Sequence, residues 1–224
     1  MNIWLLRNTF IATTFALLAL LFNSTVYAED AGTEQYEAGK HYQVLNQPVR
    51  TRDSNKIEVV ELFWFGCPHC YHFEPLLKAW KQKQQADVDF WQSPAMWNER
   101  MKVHAQVFFT AKALGVEEKL HEPIFTSLVV ERKQLTNPTE IEDLFANYGV
   151  DREEFKKTFK SFGVISQVKQ ADARARSYQL TGTPELVVNG KYRVTAGMAG
   201  GQAEMLKVVD FLVAKERAAM AAAK

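Results

Sequence analysis

The sequence predicts an α/β fold in which one sheet is built from two separated groups of strands, with an all-helical segment inserted between them. Three observations carry this. A strand–helix–strand pattern fills residues 57–94, and helical periodicity alone runs from there to about Leu180. Two short strands joined by Asn189-Gly190, then one helix, close the chain.

The elements follow in order. Arg7, a mostly apolar run over 11–22 and Val26-Tyr27-Ala28 followed by Glu29-Asp30 read as a cleavable export signal over 1–28. The run is shorter than the roughly 20 residues a membrane span needs, so the mature chain is expected to be soluble and exported. Residues 29–40 are small, polar and acidic, as in a mobile leader, and Tyr42-Gln43-Val44-Leu45 is a short strand candidate. Residues 57–65 are β-branched and aromatic on both faces, which suits a central buried strand, and Glu61 is the odd residue in it. A helix starts at Pro68, with Phe73, Leu76, Leu77 and Trp80 at helical spacing and a kink expected at Pro75. Val88-Asp89-Phe90-Trp91 is the next strand, closed by Ser93-Pro94; the short spacing implies a parallel pair with a right-handed crossover.

Helices are then expected over 104–114, 117–130, from Asn137-Pro138 to Gly149, after the cap Asp151, and over 164–178. Strands return at 185–188 and 192–195; Asn-Gly between them is a strong hairpin signal. A final helix over 203–217 leads into an Ala-rich tail, 218–224, expected to fray. The order βαβ, helical block, ββα is that of a thioredoxin-like fold with an inserted all-helical domain. Its parts are 29–94 for the first portion, 95–163 for the insert, and 164–217 for the connecting helix and second portion.

Composition excludes some functions. The 224 residues are 47% hydrophobic and 24% charged with net charge +1, which offers no electrostatic footprint for nucleic acid or an anionic membrane. Cysteine usage is more informative. The two cysteines are Cys67 and Cys70, in Cys67-Pro68-His69-Cys70. An exported protein stapled by disulfides usually carries several pairs, and a loop this short gives little entropic stabilisation. The pair therefore reads as reactive.

Its setting explains how. The motif follows a buried strand and opens a helix, whose N-terminus carries free N–H groups and about half a positive charge. Pro68 suits the first helical position because it has no N–H and a preset φ. Cys67 then falls at the N-cap, and a protonated His69 adds a cation nearby; both are expected to lower the Cys67 pKa. A stabilised thiolate makes the disulfide more oxidising. A few pKa units correspond to on the order of 60–100 mV. Cys67 is expected to be the exposed sulfur that a substrate thiolate attacks and Cys70, one turn in, the resolving thiol. A zinc site would need further ligands, with His69 and His72 the only neighbours available, and c-type haem attachment would need His where Tyr71 stands. A carboxylate at Glu61 within so apolar a strand is costly unless paired or neutral, and burial would raise its pKa.

The run from Phe63 to Cys70, followed by Tyr71-His72-Phe73-Glu74, resembles the DsbA family of periplasmic disulfide oxidases, and the similarity extends over nearly the whole mature chain. That family is itself a standard case of a depressed cysteine pKa and an oxidising disulfide. The resemblance implies a thiol:disulfide oxidoreductase that needs no metal or cofactor beyond its own disulfide. It implies newly exported cysteine-containing proteins as substrates, a DsbB-like membrane quinone reductase as reoxidising partner, and a periplasmic location. It assigns Glu61 to proton transfer for Cys70, and it matches Thr183-Pro184 to the cis-proline loop that meets substrate. Many oxidase members have Val where Thr183 stands. A reductase or isomerase of the same fold, or a metal-binding module, would be the alternatives; no residues remain for the added dimerisation module of isomerases, so a monomer is expected. Trp64, Phe90 and Trp91 read as core, His41, His104 and His121 as surface or cap histidines, and 197–201 as a site rim or a plain loop.

Overall fold

The computed structural model describes residues 35–223; the expected signal peptide and the start of the leader lie outside them. Five strands form one mixed sheet: β1 (Gln43–Val44), β2 (Ile57–Phe63), β3 (Val88–Pro94), β4 (Glu185–Val188) and β5 (Tyr192–Thr195), in the order β1-β5-β4-β2-β3. β2 and β3 are parallel, joined by helix α1 (Pro68–Lys81), and the remaining pairs are antiparallel. Between β3 and β4 come α2 (Glu99–Ala113), α3 (Glu117–Phe125) with a π-helical continuation Thr126–Val130, α4 (Pro138–Asn147), α5 (Arg152–Phe159) and α6 (Phe162–Ser177). The short α7 (Ala196–Ala199) and long α8 (Gln202–Ala222) end the fold.

β2 is buried along its whole length, so its alternating side chains serve both faces. Ile57 and Val59 pack with Phe73, Leu77 and Trp80 of α1 and with Val209 and Leu212 of α8. Val60 and Leu62 face the other way, onto Val187, Leu45 and Tyr178. Period two then places Glu61 on the α1 side, behind the cysteine pair. Phe63 at the end of the strand, with Phe65, Cys67 and Cys70 beyond it, belongs to a third cluster made mostly by the helical insert, with Phe108, Leu120, Ile124 and Phe125. The sulfurs thus sit where insert and sheet meet.

Local chemistry explains the boundaries. Asn137 and Asp151 cap α4 and α5 as expected, and Ser161 caps α6. The hairpin turn holds Asn189 and Gly190 at φ +50° and +62°, the signature of a tight primed turn. A Cβ on Gly190 would come 2.0 Å from the Val49 carbonyl oxygen, so that turn admits only glycine.

Several expectations need correction. α2 begins at Glu99, five residues before the expected start, because the Asn98 side chain accepts from the Met101 N–H. β2 ends at Phe63, two residues early. The Ala-rich tail is helical to Ala222, since alanine is the best helix former and α8 continues through it. Residues 196–199 form a helical turn capped by Thr195. Glu58 is buried as well as Glu61, at 1% exposure, and accepts from the Arg52 N–H at 3.0 Å.

Candidate active site

β2 delivers the chain into Trp64-Phe65-Gly66, and the tight approach there is set by size. A Cβ on Gly66 would lie 2.3 Å from the Trp64 indole. The Trp64 ring is fixed by its own Nε1–H, which donates to His104 Nδ1 at 2.9 Å, while His104 Nε2–H donates to the Gln134 carbonyl at 2.9 Å. His104 is therefore a fully used core residue, 1% exposed, and burial holds its pKa down at about 4. The sequence pattern gave no sign of this bridge, because its partners lie 40 and 30 positions away.

Cys67 is the N-cap of α1, with Pro68 at the first helical position. Its Sγ lies 3.4 Å from the Thr183 carbonyl, to which the neutral thiol donates. The Cys67 pKa is lowered to about 5, first by a hydrogen bond from the Cys70 thiol. The Thr183 side chain and the N–H groups of Cys70 and His69 add to this, against an opposing effect of burial. His69 thus acts through its backbone; its side chain is exposed, and its carbonyl accepts from Gln202 Nε2 at 2.7 Å. N–H groups of the helix's first turn point at the sulfur, as its N-cap position predicts.

Cys67 is 8% exposed, less open than the sequence suggested, and Cys70 is 0% exposed. Both are free thiols. Burial drives the Cys70 pKa far upward, helped by the hydrogen bond it gives to Cys67 and by the Glu61 charge. Glu61 is fully buried, and its pKa is raised well above the ordinary range by burial first and Glu74 second; the hydrogen bond from Gln92 opposes this. Gln92 is aligned because the parallel β2–β3 register sets it opposite Glu61. α1 runs unbroken through Pro75.

The loop 181–184 closes the site. The Thr183–Pro184 peptide bond is cis. Glu185 anchors the loop, accepting from the Thr181 hydroxyl at 2.6 Å and the Thr181 N–H at 3.2 Å. The structure therefore brings Cys67, Cys70, Glu61, Thr183 and Pro184 together, with Pro68 and His69 on the rim. Gln202, just beyond residues 197–201, reaches the motif. Among the described residues, no group of three or more His, Cys, Asp or Glu side chains is arranged to hold a metal ion.

A thioredoxin-like sheet whose helix N-terminus carries one acidic and one buried, high-pKa thiol defines a thiol–disulfide oxidoreductase. The comparisons with known proteins narrow the class. Residues 76–212 match the family model described as a DSBA-like thioredoxin domain, a span that begins just after the cysteines. The thiol:disulfide interchange protein DsbA of Pseudomonas aeruginosa is 45% identical over 203 residues, covering 91% of this chain and 96% of the relative. That of Pseudomonas syringae pv. tomato is 42% identical over 219 residues, covering 98% and 100%. The crystal structure of the P. aeruginosa protein superposes with a TM-score of 0.79 at 48% identity, covering 83% of this chain and 96% of that one. The Xylella fastidiosa oxidoreductase DsbA gives 0.77 at 33% identity, covering 82% and 98%. The chain belongs to the DsbA family.

Proposed function

We propose that the protein works as a disulfide donor in the periplasm, oxidising newly exported cysteine-containing proteins, with each site residue in a separate role. The observation that carries this reading is the asymmetry of the two sulfurs: Cys67 sits among hydrogen-bond donors at a helix N-terminus, and Cys70 is sealed off in front of a buried carboxyl.

In the oxidised protein a substrate thiolate attacks Cys67 Sγ. The Cys67–Cys70 bond breaks, and its electron pair leaves on Cys70. A thiolate is unstable at that buried position, so the Glu61 carboxyl gives it a proton. A second substrate thiolate then attacks the first substrate sulfur and expels Cys67 as a thiolate that the first turn of α1 stabilises. The substrate loses two electrons and the protein gains them. Pro68 presets the turn, His69 supplies an N–H, and Thr183 with Pro184 presents backbone to an extended substrate by strand addition. No cofactor is needed beyond the disulfide.

Reoxidation falls to a DsbB-like membrane quinone reductase, and the protein works as a monomer. We assign residues 29–94 and 164–217 to the redox domain, 95–163 to the insert, 218–224 to a tail and 1–28 to a cleaved signal. The test is the redox equilibrium of Cys67–Cys70 against glutathione, read by mass spectrometry after alkylation. A potential well above thioredoxin's supports disulfide donation, and Cys67→Ser should abolish it. A potential near thioredoxin's would reassign the protein as a reductase or isomerase.

A further inference from the structure

Behind the sulfurs lies a chain of side chains that the mechanism above uses only at its inner end. Glu61 Oε2 accepts from Gln92 Nε2 at 2.7 Å, while Glu61 Oε1 is buried without a protein partner. Gln92 Nε2 also reaches Glu74 Oε1 at 3.0 Å. That same Glu74 oxygen lies 3.1 Å from His121 Nε2, a contact short of hydrogen-bond alignment, and the nitrogen is buried with no other partner. Four elements, β2, β3, α1 and α3, each contribute one residue. The chain runs from full burial at Glu61 to the partly exposed side chains of Glu74 (26%) and His121 (16%).

The setting of His121 leaves Glu74 as its main charged neighbour. The ring is walled by Phe63, Phe65 and Phe125, with centroids at 5.8, 5.2 and 5.2 Å. On its own helix the acidic residues one turn back are Glu117, which pairs with Lys112 of α2 at 3.9 Å, and Glu118; Glu122 follows it in sequence. β2 presents the Phe63 ring to it and the segment after β2 the Phe65 ring, and Gln92 of β3 is neutral.

We propose that His121 is a positioning residue for the thiol chemistry. Reaching across from the insert, it positions the Glu74 carboxylate at the outer end of the Glu74–Gln92–Glu61 chain, and so sets how strongly that charge bears on Glu61 behind Cys70. The inference rests on the reading of Glu61 as the proton partner of Cys70. The step affected is closure of the disulfide. With Cys67 held in a mixed disulfide, the Cys70 thiol passes its proton to the Glu61 carboxylate, and the Cys70 sulfur bonds to Cys67. The other sulfur leaves as a thiolate with the electron pair. Closure therefore needs Glu61 ionised. The Glu74 carboxylate raises the pH at which Glu61 gives up its proton, so a donor that keeps that carboxylate on Gln92 delays Glu61 ionisation, and removing the donor moves it to lower pH.

The experiment follows closure of the Cys67–glutathione mixed disulfide, formed by adding oxidised glutathione to the reduced protein, by acid quench and mass spectrometry from pH 4 to 9. His121→Phe keeps the ring packing and removes Nε2. Its closure profile should move downward by about half to one pH unit, which speeds closure one unit below the wild-type midpoint roughly three- to fivefold. His121→Gln, which keeps a donor, should fall between the two and carries the test if the phenylalanine variant is unstable. In a Glu74→Gln background the His121→Phe shift should vanish. Glu61→Gln should flatten the profile; if it does not, the proton-partner reading of Glu61 fails and this inference fails with it. If Glu61→Gln flattens the profile while His121→Phe leaves it in place, slows closure equally at every pH, or still shifts it in the Glu74→Gln background, the role of His121 alone is refuted.

Discussion

The Cys67 thiolate should make the reduced protein's stability depend steeply on pH. The folded pKa is about 5 against an ordinary value of 9.0. An acid with a depressed folded pKa contributes stability that is complete above pH 9 and is lost as pH falls through 5. Linkage gives about 4 kcal/mol at pH 8, about 2.7 kcal/mol at pH 7 and about 0.4 kcal/mol at pH 5. Cys70 does not interfere in this window, because its raised pKa keeps it a thiol when folded, and an ordinary thiol is still mostly protonated at pH 7. The oxidised protein has no thiolate and lacks this contribution. The pH 7 figure corresponds to about 60 mV of oxidising power at the disulfide. The assay is denaturant unfolding of the reduced protein and of reduced Cys67→Ala at pH 8, 7 and 5, with thiolate absorbance titrated in parallel. The gap between the two proteins should shrink by about 3.5 kcal/mol from pH 8 to pH 5. A constant gap, or a thiolate midpoint above pH 7, would refute the derivation of Cys67 acidity from the Cys70 thiol, the Thr183 side chain and the N–H groups of α1.

Three further outcomes follow from the same geometry. His104 is a base whose folded pKa is lowered to about 4 from 6.5, so its contribution is present above pH 6.5 and is lost as pH falls through 4. The oxidised protein should lose about 2 kcal/mol between neutral pH and pH 5 on this account, and urea unfolding of His104→Gln should lack that slope. Gly66→Ala forces the Trp64 ring away from its His104 bond; a loss of about 1–3 kcal/mol and an altered tryptophan emission spectrum are expected by denaturation and fluorescence. Thr183→Val removes a side chain that stabilises the Cys67 thiolate; the thiolate midpoint should rise by about half to one unit, and the potential should fall by roughly 15–30 mV against glutathione.

Much of the fold was legible because its signals are local. The buried β2 pattern, Pro68 after Cys67, the caps Asn137 and Asp151 and the Asn189-Gly190 turn each act within a few residues. The Cys-x-x-Cys motif was readable for the same reason. What escaped the sequence is pairing at a distance. Gln92 meets Glu61 only through strand register, His121 meets Glu74 only because α3 docks on α1, and His104 joins Trp64 to Gln134 across the insert. The sequence alone makes all three residues look like ordinary polar side chains. The hydrogen bond from the second thiol to Cys67 also left no mark in the sequence.

The placement of both sulfurs within the insert's apolar cluster has a consequence for how such a protein can change. A helical block grafted into a sheet could be an appendage, free to vary so long as its own core holds together. Here Phe65, Phe108, Leu120 and Phe125 form the insulation around the reacting bond. Their packing sets how much water reaches Cys70, and dielectric surroundings weigh directly on thiol chemistry. Repacking of the block, even far from any substrate, is then felt at the disulfide as a change of driving force. A lineage in need of a weaker or stronger oxidant could tune it from the insert and leave the four-residue motif untouched.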